Sequence, residues 1–166
     1  MSGQLVAVLH SRPAGRGDIT RRRVEGICRA LGCDSFKIVN LYAAELPTAG
    51  ALDTATSLSA WVEGRREIER AVRESGTKAV LLGYGVRSPG GPQRTPYREQ
   101  LEWLAELLTL SGHAPWTYGD RPSHPSRWQR VAHRHRPGHS VYELASELLQ
   151  QHENGSLPLA AGRAAI

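Results

Sequence analysis

Short apolar runs alternate with longer amphipathic segments along this chain, and that alternation is what most constrains its fold. The apolar runs have the length of strands and cover residues 5–9, 36–41, 78–84 and, as a shorter candidate, 114–118. The amphipathic segments repeat apolar side chains at helical spacing and cover residues 19–31, 58–73, 97–110 and 141–151. Strands separated by helices are typical of parallel sheets whose two faces are both covered. The sequence therefore predicts an α/β fold, a three-layer α/β/α sandwich around a mainly parallel sheet of about four strands.

Capping and turn residues indicate where these segments begin and end. Asp18 is placed to cap the first helix, Gly32 to end it, and Ser140 to cap the last helix. Proline and glycine in residues 45–56 and 86–96 predict loops there.

Length and composition indicate one globular domain. Of the 166 residues, we assign 1–152 to a single α/β domain and expect 153–166 to form a flexible C-terminal tail. No apolar stretch approaches the ~20 residues of a membrane span. The N-terminus lacks a basic leader, so we expect a cytoplasmic protein that does not bind membranes. Two cysteines, Cys28 and Cys33, are too few for a disulfide framework or a structural zinc site.

Arginine supplies most of the positive charge of this chain, which has a net charge of +5 and an isoelectric point near 9.7. The segment 113–139 contains five of the seven histidines and five arginines, against the single acid Asp120. Such a segment favours an anionic partner, namely nucleic acid, nucleotide or phosphate. A GC-rich genome is the alternative source of so much arginine. We expect DNA or RNA to contact Arg121, Arg127, Arg130 and Arg134.

Three histidines in this segment, His133, His135 and His139, have a spacing that can bind a metal. No acid or cysteine accompanies them in the sequence, so we predict a solvated basic segment there. We expect neither a metal nor a cofactor in this protein.

Ligands of parallel α/β sheets bind beyond the carboxyl ends of the strands. Four loops are therefore expected to form one site, and they cover residues 10–17, 40–46, 83–96 and 119–130. Asn40 sits inside an otherwise apolar strand, where an amide without a partner costs ~1–3 kcal/mol. Its coplanar donors and acceptor suit the edge of a nucleobase, and the backbone of a neighbouring loop is the alternative partner.

The pair His124-Pro125 follows the fourth strand candidate. Proline fixes its own φ and restrains the residue before it, so it holds the imidazole in place. A fixed imidazole can donate a hydrogen bond to a developing anion. A surface turn with an incidental histidine is the alternative.

The first strand leads into His10, Ser11 and Arg12, and a glycine-containing segment continues to Asp18. This exit can hold a phosphate or a water molecule. It is not a P-loop, because no Gly-Lys-Ser/Thr follows it, and the isolated Gly83-Tyr84-Gly85 does not make a dinucleotide fingerprint.

Taken in order, these motifs resemble the uracil-DNA glycosylase superfamily, over about residues 5–130. The chain is most similar to a bacterial branch that carries a domain-of-unknown-function label and shows Asn-Leu and His-Pro motifs. The counterparts in this sequence are Leu9-His10-Ser11, Asp18-Ile19-Thr20-Arg21-Arg22, Asn40-Leu41 and His124-Pro125.

The resemblance implies roles for these positions. Asn40 is expected to bind the edge of the base, and His124 to stabilise the departing base as an anion. The superfamily's Asp, Asn or Glu after the first strand is replaced here, so His10 or Asp18 is expected to handle the water. Trp128 occupies a position that often wedges into the duplex. We expect further substrate contacts from Ser11, Arg12, Tyr42, Tyr84, Ser126 and Arg127.

Three functions are consistent with these residues. The first is a glycosylase-like hydrolase that cleaves an N-glycosidic bond in a nucleotide, nucleoside or nucleic acid. The second is a non-catalytic module that binds nucleic acid or nucleotide, since a fold can outlast its chemistry. The third is an enzyme acting on a nucleoside-like metabolite. Release of free base favours the first, and binding without turnover the second.

Overall fold

The computed structural model describes residues 3–15 and 17–157, which form a five-stranded sheet with helices packed on both faces. The strands are β1 (Gln4–Pro13), β2 (Ser35–Leu46), β3 (Thr77–Gly83), β4 (Trp116–Tyr118) and β5 (Leu149–Gln151). The helices are α1 (Asp18–Ala30), α2 (Ser59–Arg73), α3 (Arg94–Ser111), α4 (Trp128–His135) and α5 (Ala145–Leu148). The strand order is β2-β1-β3-β4-β5, with β5 antiparallel to β4 and the other neighbours parallel. The predicted α/β class with a mainly parallel sheet is confirmed.

The central strand β1 divides the core into two halves. Val6 and Val8 pack with α2 and α3 on one face, whereas Leu5, Ala7 and Leu9 pack with α1 and α4 on the other. Successive side chains of a strand point to opposite faces, so a strand covered on both sides reads as one continuous apolar run. This is why β1 is recognisable in the sequence.

The end of the chain differs from the prediction of a helix over residues 141–151. The Ser140 hydroxyl accepts a hydrogen bond from the Glu143 backbone N–H at 3.2 Å, and the Glu143 carboxylate accepts one from the Ser140 N–H at 2.7 Å, so Ser140 does cap this turn. The regular helix that follows is limited to α5. Leu149 then pairs with Tyr118, because β5 satisfies the backbone groups along the edge of β4.

Three further predictions are corrected near the helix ends. Asp18 is the first residue of α1, and Gly17 precedes it with no capping hydrogen bond from a side chain, so Asp18 is not the predicted cap. Residues 45–56 are not all loop, since they hold the end of β2 and a 3-10 helix, Ala49–Thr54. Helix α4 lies where the sequence indicated only a solvated basic segment.

Strand β1 has β2 on one side and β3 on the other, so the strand order reverses at this position. The chain leaves β1 toward α1 on one face and leaves β3 toward α3 on the other. Loops that part in this way open a crevice at the carboxyl ends of the strands.

Of the predicted tail 153–166, residues 153–157 are described and residues 158–166 lie outside the described residues. Within the described part of the chain, no helix is both long enough and apolar enough to cross a membrane.

Candidate functional site

A cleft of about 1040 Å³ opens at the carboxyl ends of β1, β2 and β3. Residues of all four segments predicted as loops contribute to its walls, but residues 10–13 and 40–46 belong to β1 and β2 and are not loops. The walls are completed by residues 47–50, by the first turn of α1 and by one face of α4. Its volume lies near the upper end of the ~300–1,000 Å³ that is typical of small-ligand sites.

Asn40 lies in this cleft, opposite Leu9 in the register of β1 with β2. Its neighbours Val39 and Leu41 face the α2 and α3 side, so alternation turns Asn40 to the other face of the sheet. The side chain is 6% exposed, and its Oδ1 has no hydrogen-bond partner among the described residues. A buried amide oxygen without a partner costs ~1–3 kcal/mol, which a ligand N–H can recover.

The backbone at Asn40 is held by two residues that sequence reasoning missed. A Cβ atom at Gly64 would lie 2.2 Å from the Leu41 carbonyl oxygen, so α2 contacts β2 directly at this glycine. The Gln100 amide donates hydrogen bonds to the carbonyls of Leu41 at 2.8 Å and Trp61 at 3.0 Å. A glutamine and a glycine on the apolar faces of α3 and α2 were the available signals.

His124 has one ring nitrogen occupied by its own turn. Its Nδ1 accepts a hydrogen bond from the Ser126 backbone N–H at 3.2 Å and lies 2.9 Å from the Ser126 hydroxyl. Burial, followed by the charges of His10, Arg127 and Arg23, lowers the pKa of His124 to about 4. The ring is therefore neutral near pH 7 and carries its proton on Nε2, so it can only donate from that atom.

The turn that carries His124 is fixed by contacts on both sides of Pro125. The Arg23 guanidinium donates a hydrogen bond to the Pro125 carbonyl at 2.5 Å. A Cβ atom at Gly83 would lie 3.3 Å from Pro125 Cδ and 2.9 Å from Leu9 Cδ2, so glycine at the end of β3 lets this turn approach the sheet. These contacts set the position of the imidazole.

His10 is the second imidazole of the cleft and is 7% exposed. Its Nδ1 lies 3.0 Å from the Ser11 hydroxyl. Burial, and then the charge of Arg87, lowers the pKa of His10 from its ordinary value. A neutral His10 can therefore accept a proton in the cleft that His124 also lines.

Tyr84 adds a second buried polar atom without a partner. Its hydroxyl oxygen forms no hydrogen bond with a described residue, although the ring lines the cleft and is 3% exposed. Burial raises the pKa of this phenol above its ordinary value, so it stays protonated and can donate or accept.

Arginine dominates the charge of the cleft walls. Its lining residues include six arginines, at positions 12, 21, 87, 127, 130 and 134, against Asp18 as the acid among them. Arg12 pairs with Glu67, and Arg87 lies 2.6 Å from Asp53. Arg21 and Arg87 were not among the ligand contacts predicted from the sequence. Arg21 lies in α1, which follows β1, and Arg87 lies in the loop that follows β3.

Trp128 is not the predicted wedge or stacking platform. It is fully buried, stacks on Tyr118 with ring centroids 5.1 Å apart, and donates from Nε1 to the Ser123 carbonyl at 2.8 Å. Trp128 lies on the buried face of α4, so its ring has no surface on which a base could stack.

Two other predicted contacts are also absent from the cleft. Tyr42 packs edge-on against Trp61 at 5.0 Å in the core on the α2 side, so its predicted substrate contact is wrong. Arg121 lies outside the cleft walls, 3.9 Å from Asp120. The remaining predicted residues line the cleft, namely Ser11, Arg12, Asp18, Ser126 and Arg127.

The spaced histidines of α4 do not converge. His135 Nε2 lies 3.0 Å from Glu147 Oε2, and His139 Nδ1 lies 3.3 Å from the Pro137 carbonyl. In residues 3–15 and 17–157, no group of three or more His, Cys, Asp or Glu side chains is arranged to hold a metal ion.

In comparisons with known proteins, no family model, curated protein or solved structure matches this chain.

Proposed function

We propose that this protein binds a nucleobase in the cleft and hydrolyses the N-glycosidic bond that joins the base to its sugar. The observation that supports this proposal is the presence of the unpartnered Asn40 amide and the neutral His124 imidazole in one concave site. Asn40 presents an acceptor to an N–H on the base edge. His124 presents a donor to an oxygen or nitrogen of the same base.

The chemistry assigned to His124 follows from how a glycosidic bond breaks. The bond between the sugar carbon and the base nitrogen gives its electron pair to the base, which leaves as an anion. A neutral Nε2–H that donates to this developing charge is worth ~2.7–4 kcal/mol in a site sheltered from water. The base later takes a proton from solvent, and His124 stays neutral throughout.

We assign deprotonation of the attacking water to His10, with Asp18 as the alternative. Water oxygen bonds to the sugar carbon, and the proton that it loses passes to a neutral acceptor. His10 suits this role because it is buried, uncharged and in the same cleft as His124. Asp18 lines the same cleft but is exposed, in the first turn of α1.

The resemblance of the motif order to the uracil-DNA glycosylase superfamily supports the same proposal and extends it to a fold of that type. The strand order with β1 between β2 and β3 is compatible with it. The departure at the first strand exit, where His10 and Ser11 replace the superfamily's carboxylate or amide, bears on the water step alone.

The test is base release, measured by mass spectrometry on damaged DNA, RNA, nucleotides and nucleosides. We expect the wild type to release a free base from one of these substrates. His124→Ala should lower turnover more than affinity, because its hydrogen bond forms in the transition state. Asn40→Ala should weaken binding. His133→Ala and Asn154→Ala, at exposed positions outside the cleft, are the matched controls.

A non-catalytic module that binds nucleic acid or nucleotide is the second candidate. It is favoured by the arginine-rich walls and by the lack of a carboxylate at the first strand exit. In that case Asn40→Ala and His124→Ala both lower affinity, and no base is released from any substrate. Turnover of a nucleoside-like metabolite alone would identify the third candidate.

A further inference from the structure

Four arginines of the cleft have no acidic partner. Arg21, Arg127, Arg130 and Arg134 line the cleft, and none lies within 4.0 Å of a carboxylate of a described residue. Outside the cleft, six arginines are paired with Asp or Glu at 2.6–3.9 Å, at positions 29, 66, 73, 98, 121 and 136, whereas those at positions 22, 23, 65, 70 and 94 have no such partner among the described residues. The feature particular to the cleft wall is that four such arginines face one concave site.

This wall is built from two helices. Arg127, Arg130 and Arg134 are three and four residues apart, so they share the face of α4 opposite to the buried Trp128 and Ala132. The first turn of α1 lines the same cleft, and no side chain of a described residue caps its N-terminal N–H groups. Arg21 extends from this turn, and its guanidinium is held 4.9 Å above the Phe36 ring. Open N–H groups and the helix dipole add partial positive charge.

Two independent observations indicate that a ligand occupies this cleft. Asn40 and Tyr84 are both more than nine-tenths buried, line the cleft, and hold polar oxygens without partners. Clustered guanidinium groups repel one another unless an anion lies between them. A ligand with a polar edge and an anionic group satisfies both parts of the cleft together.

We propose that the wall formed by Arg21, Arg127, Arg130, Arg134 and the first turn of α1 binds the phosphate of a mononucleotide. The ligand of this site is then a phosphorylated nucleotide monomer, in preference to a neutral nucleoside or a nucleic acid strand. This inference rests on the proposed function, because it takes Asn40 to hold the base of the same molecule.

The arrangement favours a monomer over a strand. The cleft is large enough for base, sugar and phosphate together. A polymer requires positive charge that continues along its path beyond the cleft. Here Arg121 lies outside the cleft beside Asp120, and Arg136 is 3.2 Å from Glu147. Each of these two arginines outside the cleft thus has a carboxylate within 4.0 Å.

The test is calorimetric titration with nucleoside 5′-monophosphates, the matching nucleosides, ribose 5-phosphate, inorganic phosphate and short single-stranded oligonucleotides. The variant is the double substitution Arg130→Gln and Arg134→Gln. Its matched control is Arg66→Gln with Arg98→Gln, which removes the same charge from exposed positions of α2 and α3. Asn40→Ala is titrated in parallel.

We expect one monophosphate to bind about tenfold or more tightly than its nucleoside, because charge-assisted hydrogen bonds to phosphate are the strong ones. The double variant should lose this advantage, and the control should keep it. Equal affinity for nucleotide and nucleoside, with both weakened by Asn40→Ala, overturns the phosphate site and leaves the nucleobase proposal standing.

The opposite failure has its own signature. If ribose 5-phosphate binds as tightly as any nucleotide, through Arg130 and Arg134 and regardless of Asn40, the phosphate site stands and the proposed function is refuted. Tighter binding of an oligonucleotide than of every monophosphate overturns the monomer assignment. Binding of none of these probes overturns the phosphate site as well.

Discussion

At the residue scale, the behaviour of His124 is determined by what its two ring nitrogens contact. The Ser126 backbone N–H occupies Nδ1, which leaves Nε2 as the donor. Burial lowers the pKa of His124, so the ring carries a single proton near pH 7 and is a neutral hydrogen-bond donor there. A charged imidazolium would instead attract the phosphate of a nucleotide and compete with the arginines for it.

The lowered pKa of His124 predicts how stability changes with pH. The pKa of this histidine falls from 6.5, its ordinary value, to about 4 in the folded protein. Between these two pH values His124 binds a proton in the unfolded chain but not in the folded one. The free energy of unfolding should therefore fall as the pH is lowered through this window and lose no more to this group below it. His124→Asn keeps an acceptor near Nδ1 and removes the titration, so its unfolding free energy, measured in urea, should fall less.

His133→Asn, at an exposed position of α4, is the control for that series. An identical pH dependence for His124→Asn and the wild type would show that the imidazole titrates equally in the folded and unfolded chain.

Single side chains were predicted well where the strand itself decides their direction. His10 and Asn40 lie in the paired strands β1 and β2, on the part of the sheet that borders the cleft, and parallel pairing brings them together. Trp128 and Tyr42 were predicted wrongly because an aromatic residue among arginines or at a strand end has two possible faces. The packing of α4 against Tyr118 determines the face of Trp128, and the contact with Trp61 determines that of Tyr42. Neither contact can be predicted from the local sequence.

At the element scale, α2 packs directly on the backbone of β2 at Gly64. Alanine would place its Cβ 2.2 Å from the Leu41 carbonyl and 2.8 Å from that of Asn40. Two effects oppose each other here. Alanine is better than glycine in a helix by ~1 kcal/mol, whereas forcing an extra methyl into a packed contact costs ~1–3 kcal/mol. A backbone contact this short cannot relax by rotating a side chain, so we expect the packing cost to win.

Gly64→Ala should therefore lower the free energy of unfolding by up to ~2 kcal/mol. It should also weaken ligand binding, because a shift of α2 moves the Asn40 backbone. Chemical denaturation and titration measure the two effects. Gly76→Ala is the control, since a Cβ there meets nothing within 4 Å. Unchanged stability and binding in Gly64→Ala would mean that α2 does not restrain β2.

The elements that were predicted correctly have a hydrophobic pattern in their own residues, whereas the elements that were missed form because they pack or pair with other elements. Strands β1 and β3 are apolar runs, and α2 is amphipathic over its whole length. Helix α4 is strongly basic and buries only Trp128 and Ala132, so its apolar face is too narrow to predict. Strand β5 exists because β4 offers an edge, and its own residues, Leu149–Gln151, carry no strand pattern.

At the scale of the whole molecule, the net charge of +5 conceals an uneven distribution. Ion pairs between exposed residues neutralise much of the helical surface and contribute little stability. The cleft walls keep their arginines without such partners at positions 21, 127, 130 and 134. The cleft therefore presents a local positive field to a ligand.

The salt dependence of binding distinguishes a local field from an extended one. Each phosphate contact changes log K by roughly −0.7 to −0.9 per unit of log salt. We expect a short single-stranded oligonucleotide to show a slope of about one or two contacts at most, since the proposed phosphate site is confined to the cleft wall. A slope corresponding to four contacts, reduced by Arg121→Gln, would instead favour a protein that follows a strand.

The residues of the cleft come from chain positions as far apart as His10, Asn40, Tyr84 and His124. They meet only when β1, β2, β3 and the turn before α4 are all in place, so no partly folded chain retains the site. A molecule that binds there stabilises the native state alone, by an amount that grows with the logarithm of its concentration over Kd. The melting temperature of the intact domain thus becomes a reporter of occupancy, and a library of nucleotides can be ranked by heating alone.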